Sequence, residues 1–198
     1  VAYWNAFKAP SHNFENGYDY WSDWENDQQM GQGKERWKDG SSYEGNYEYG
    51  KKEGIGKYTW EDGTFYYGEW KNNKIHGLGI YKWSDGRQYL GEWKNAKMYG
   101  FGISIWNHGK YIGNYKDDKK SGFGVYIDNY KNKYEGFWNL GKLSGDGRKF
   151  YQNKDYYIGE FVDGRSNGFG KYYHSDGTVL EGNWLNDQPH GNGKEIFS

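Results

Sequence analysis

The sequence predicts an all-β protein built as one elongated antiparallel sheet of consecutive short hairpins. Three observations carry this expectation. A pattern of aromatic-x-Gly-x-aromatic returns every 22 or 23 residues. Around it, large and small side chains alternate with the period of two that belongs to strands. Composition excludes most other classes: aromatics make up 22% of the 198 residues, glycines number 32, and the hydrophobic fraction is only 34%. Aliphatic residues are too sparse for a large core, so the core must be made of Tyr, Trp and Phe rings, each of which buries much area. Disordered chains are poor in such rings, so disorder is excluded as well.

The repeats set the element order. Their leading positions are Tyr20, Tyr43, Tyr66, Tyr89, Tyr111, Tyr134, Tyr157 and Leu180, which defines eight units over 20–198 and leaves 1–19 as an aromatic N-terminal arm outside the array. The third position is glycine from Gly45 to Gly182, with Ser22 in the first unit. The fifth is always aromatic, as in Trp24, Tyr47, Trp70, Trp93, Tyr115, Trp138, Phe161 and Trp184. Every unit then carries a Gly-x-Gly pair, from Gly31 and Gly33 to Gly191 and Gly193, and four end in Asp-Gly, beginning with Asp39-Gly40.

Each unit therefore holds two alternating stretches. In Tyr66–Trp70 the first, third and fifth side chains share one face, and Gly77, Gly79, Tyr81 and Trp83 share the same face on the next strand. A glycine beside a ring lets that ring lie flat on the backbone, which explains glycine inside a strand. Reversal is expected over the six residues between the stretches and again at the Asp-Gly segments. Sixteen strands at roughly 4.8 Å spacing extend about 75 Å before twist.

Units such as YYGEWKNNKIHGLGIYKWSDGRQ (66–88) resemble MORN repeats, the membrane occupation and recognition nexus family, over 20–198. The resemblance implies a repeat scaffold without catalytic activity that joins protein partners in a multi-subunit assembly, cytoskeletal or ciliary, radial spoke heads among them. It equally implies a second reading, a phosphoinositide- or membrane-associating module of a larger protein. A third, from the rings alone, is a carbohydrate-binding aromatic solenoid.

The opposite face is the variable one. It becomes apolar along Leu78, Ile80, Leu90, Phe101, Ile103, Ile105, Ile112, Phe123, Val125 and Ile127, then mixed from Asp146. A patch of that size points to a protein-binding surface or a homodimer interface, or else to a cover supplied by the arm itself. Along the connections, Lys71, Lys74, Lys94, Lys97, Lys119 and Lys120 form an edge that either meets anionic lipid or keeps the hairpin ends soluble.

Other chemistry is not expected. A net charge of −1 gives no pull toward nucleic acid. No cysteine is present, and His76 and His190 share one repeat slot without a recurring second ligand, so neither metal nor cofactor is expected. The Gly-x-Gly pairs lack the Gly-Lys-Ser/Thr of a phosphate loop, and Glu61-Asp62 already has a turn role. No cleavable leader reads from Val1–Pro10, and an intracellular, cytoplasmic or axonemal setting is expected.

Overall fold

A computed structural model describes residues 12–14 and 18–197. Every regular element among them is a strand. Two compact units divide between Lys97 and Met98.

The first unit contains β1 (His12–Phe14), β2 (Tyr18–Glu25), β3 (Gln28–Arg36), β4 (Ser42–Glu48), β5 (Lys51–Thr59), β6 (Phe65–Lys71), β7 (Lys74–Lys82) and β8 (Gln88–Lys94). Each strand pairs antiparallel with the next. The second contains β9 (Lys97–Trp106), β10 (Gly109–Lys116), β11 (Lys119–Asp128), β12 (Lys133–Asn139), β13 (Lys142–Phe150), β14 (Tyr156–Val162), β15 (Arg165–Tyr173), β16 (Val179–Leu185) and β17 (Gln188–Ile196), again paired in sequence order. Because β1 pairs with β2, His12 standing opposite Tyr20, the ladder reaches into the segment read as an arm. Whether that arm covers a face is a question that lies outside the described residues.

The register places glycines side by side across the strands. Gly33, Gly45, Gly56, Gly68, Gly79 and Gly91 are successive cross-strand partners in the first unit. In the second, the row runs from Gly102 and Gly113 through Gly124, Gly136, Gly147, Gly159 and Gly170 to Gly182 and Gly193. Over this trough lie the leading tyrosines. Tyr43, Tyr66, Tyr89, Tyr111 and Tyr157 are fully buried. A Cβ at Gly56, Gly79, Gly124 or Gly170 would collide with the tyrosine ring above it. Rings of adjacent repeats then meet edge to face: Tyr43 with Trp70 at 5.4 Å, Tyr111 with Trp138 at 5.2 Å, and Tyr157 with Trp184 at 5.2 Å. The indoles of Trp70, Trp138 and Trp184 donate to the carbonyls of Gly56, Gly124 and Gly170. The core is thus a layer of interlocked rings laid on a glycine floor.

One expectation needs correcting. The reversal inside each repeat takes two residues, not six. Asn72 (φ 49°) and Asn73 (φ 62°) form one such turn, and Asn95-Ala96, Asp117-Asp118 and Asn186-Asp187 repeat it with both residues left-handed. This is the type I′ geometry whose twist matches the flanking strands. Lys71 pairs with Lys74 directly across it, so the strands run further than their alternation showed. The Asp-Gly segments close as expected: Trp60 N donates to Thr64 O, and Asp62 accepts from Thr64 N and Oγ1.

Each hairpin tip is also seated on the preceding hairpin. Asn73 N donates to Lys52 O (3.1 Å) while its side chain accepts from Lys52 N (2.7 Å). The same double contact joins Asp118 to Met98 and Asp187 to Ser166.

Candidate functional site

The variable face follows from the register, one row at a time. Beside the glycines, the first unit carries Lys34, Glu44, Lys57, Tyr67, Ile80 and Leu90 as cross-strand partners. It begins as a charged ladder, with Lys34 to Glu44 at 3.3 Å, and becomes apolar. The second unit runs the other way. Ile103, Ile112 and Val125 are followed by Glu135 and Arg148, then Ile158, then Lys171, Glu181 and Lys194. Lys171 and Lys194 both reach Glu181, at 3.1 and 3.4 Å.

The apolar part of this face is open to solvent. Leu78 is 61% exposed and Leu90 53% in the first unit, beside half-buried Ile80. In the second, Phe101, Ile105 and Phe123 are exposed, and Ile103, Ile112, Val125 and Ile127 are half-buried. Sequence reasoning missed Phe137, which is 59% exposed and meets Phe123 edge to face at 5.8 Å. Its slot was the available signal: other repeats place Asn46, Glu69, Glu92, Asn114, Glu160 and Asn183 there. A second omission is a stack on the same side, where Phe150, Tyr156 and Tyr173 lie nearly parallel and Lys133 sits over Phe150 at 4.3 Å.

The lysine edge divides in two. Lys71, Lys74, Lys94, Lys97 and Lys119 are exposed beside the hairpin turns. Lys120 instead points into the ring layer, with its ammonium 4.4 Å from Tyr126, 4.6 Å from Trp138, 5.0 Å from Tyr111 and 5.1 Å from Trp106. Burial pushes its amine down to about 8. Lys52 occupies the same slot in the first unit, over Trp37, Tyr43 and Tyr47, and pairs there with Glu35 at 3.5 Å. Ile75 and Leu143 fill that slot in other repeats, which shows that it is a core position.

On the ring side, the Asp-Gly turns add a groove of about 590 Å³, lined by Tyr58, Trp60, Tyr81 and Trp83 with Asp39, Ser41, Glu61, Asp62 and Thr64. The four rings are stepped at 4.7, 5.1 and 4.5 Å. Among the described residues no group of three or more His, Asp or Glu side chains is placed to hold a metal.

These features define a class: an all-β hairpin-repeat protein with an invariant ring-and-glycine side and a variable side. A family profile for the MORN repeat matches residues 22–42, 43–65, 66–86, 89–109, 111–129, 134–156, 157–179 and 181–198. The chain belongs to the MORN-repeat family, whose repeats occur in protein-interaction and membrane-associating modules. No curated protein matches the sequence. Among solved structures, the G-box domain of the microcephaly protein CPAP is similar at 14% identity over 93% of this chain and 96% of that one, with a TM-score of 0.38. The TCP10 domain of Danio rerio CPAP is similar at 12% identity over 93% and 98%, with a TM-score of 0.35. The Drosophila melanogaster SAS-4 TCP domain, solved with a proline-rich motif of Ana2, gives 10% identity over 96% and 97%, with a TM-score of 0.36.

Proposed function

We propose that this chain is a non-catalytic scaffold that binds a protein partner through the variable side of its sheet, within a larger cytoskeletal or ciliary assembly. The carrying observation is the exposed Phe123–Phe137 pair beside Ile103, Ile112 and Val125. Phe137 stands in a slot that other repeats fill with Asn or Glu; exposed rings such as this pair gain nothing from water, and they stabilise a complex when a partner covers them. The assembly type rests on the family, and the surface rests on this chain's own residues.

A photo-crosslinking side chain at position 123 tests the surface in the native complex. One discrete adduct there, with none from position 72 in a hairpin turn, supports the reading. Equal labelling at both positions overturns it. An adduct with a second copy of this chain identifies the partner as a homodimer mate.

The membrane reading keeps one observation in its favour, the exposed pair Lys71 and Lys74 across a turn. Flotation with phosphoinositide vesicles separates the two, because binding lost on Lys71→Glu with Lys74→Glu requires lipid contact.

A further inference from the structure

Trp37, Trp60 and Trp83 occupy the same slot in successive repeats of the first unit, and two of them carry a cation supplied by the chain. Lys52 lies over Trp37 at 5.1 Å, next to Glu35. Arg87 lies over Trp83 at 5.1 Å and pairs with Asp85 at 2.7 Å. Trp60 stands between them in tilted contact with Tyr58 at 4.7 Å and Tyr81 at 5.1 Å, and among the described residues no lysine or arginine lies over it. The groove beside it is lined by Asp39, Glu61 and Asp62 and by no basic residue.

We propose that this groove takes an arginine side chain from an extended basic segment of a partner protein, with the guanidinium stacked on the Trp60 indole and facing the Asp39 and Glu61 carboxylates. The site is separate from the apolar side and does not depend on it. The flanking repeats show the recognition rule within this same chain, since each pairs an indole with a cation and that cation with a carboxylate. Arginine fits better than lysine because a planar guanidinium can stack and hydrogen-bond at once. Asp39 and Asp62 are held charged. Hydrogen bonds from Ser41 keep the Asp39 carboxyl below the usual aspartate range, and bonds from Thr64 and Ser84 do the same for Asp62. The Asp62 oxygens are largely used by Thr64 and Ser84, which leaves Asp39 and Glu61 as the acceptors for a ligand.

The test uses the whole chain and a synthetic peptide, acetyl-Ser-Gly-Arg-Gly-Arg-Gly-Ser-amide, beside a twin with citrulline in place of arginine. Citrulline keeps the shape and removes the charge. Indole ¹H–¹⁵N signals are followed by NMR, with Trp60 assigned from a Trp60→Phe variant. The expected result is a saturable shift centred on Trp60, at least tenfold weaker for the citrulline peptide and several-fold weaker in Glu61→Gln, Glu61 being a side chain that holds no hydrogen bond or ion pair among the described residues. Phe123→Glu leaves this binding unchanged, so failure here and failure of the apolar surface are told apart. Equal binding of both peptides, shifts centred on other indoles, or no shift at millimolar peptide overturns the proposal. So does binding of phosphatidylcholine vesicles in the absence of any peptide response.

Discussion

The Tyr66 hydroxyl lies 2.9 Å from the Glu69 carbonyl and 3.2 Å from the His76 carbonyl, so one side chain ties together the two strands of its own hairpin. Its ring crosses Gly68 and Gly79 to get there. Tyrosine and glycine in these slots are therefore a single device. Gly79→Ala should destabilise the protein by about 2 kcal/mol through overpacking, and Tyr66→Phe by about 1 kcal/mol through the lost bond. Urea unfolding measures both. In the double variant the two losses should not add, because the residues touch.

Lys120 should make stability rise with alkali. Its amine is pushed down to about 8, from an ordinary lysine value of 10.5. Between those values the unfolded chain binds more protons than the folded one, so stability increases as pH rises from about 8. The ring layer sets the upper limit. Burial raises the Tyr115 and Tyr157 hydroxyls to about 12, so above about 10 the unfolded chain ionises first and stability falls. Lys120→Met should flatten the rise and stabilise the protein by about 1–2 kcal/mol at pH 7, the desolvation relieved being partly offset by lost cation–π attraction. Thermal unfolding from pH 7 to 10 reads this directly.

Ala96 sits in the left-handed region at φ 62° with only a methyl group to justify it. Ala96→Gly should stabilise the first unit by about 1 kcal/mol, because the turn is kept and the steric cost removed. Asn73→Gly at the matching position (φ 62°) should show no such gain, since it also deletes the 2.7 Å bond from Lys52 N. Chemical denaturation of the pair checks the contrast.

Phe123→Ser combined with Phe137→Ser should change stability by less than about 1 kcal/mol, because both side chains are more than half exposed. Partner capture should nevertheless fall at least tenfold. Loss of both folding and capture would assign these rings to the core instead.

The repeat length, the glycine slots and the identity of the buried rings were all legible in the sequence, because Tyr43 through Trp184 obey a period that needs no three-dimensional knowledge. Most of the tight turns were hidden, Asp163-Gly164 being the exception. Asn-Asn, Asp-Asp and Asn-Ala do not carry the Asn-Gly signal, yet Asn and Asp tolerate the left-handed region well enough to build the same reversal. Lys120 read as an edge charge because it lies beside a turn. Counting back by twos from Gly122 places it on the ring side, together with Lys52 before Gly54, and sets Lys119 on the other. The groove at Trp60 was beyond reach for another reason. It lies on the face that repeats, and only its three-dimensional arrangement shows which indoles already hold a cation.

The seating of each turn on the hairpin before it gives the array a direction. Asn73 leans on Lys52, Asp118 on Met98 and Asp187 on Ser166, always toward lower residue numbers. Shortening the array from its higher-numbered side removes an acceptor, since Lys52 N, Met98 N and Ser166 N each donate to the side chain of the following turn. Shortening it from the other side orphans the turn amide of the first surviving hairpin. A cut at either terminus therefore bares one backbone donor at the seam, so copies should be gained or lost as whole repeats whose incoming turn restores the reciprocal pair.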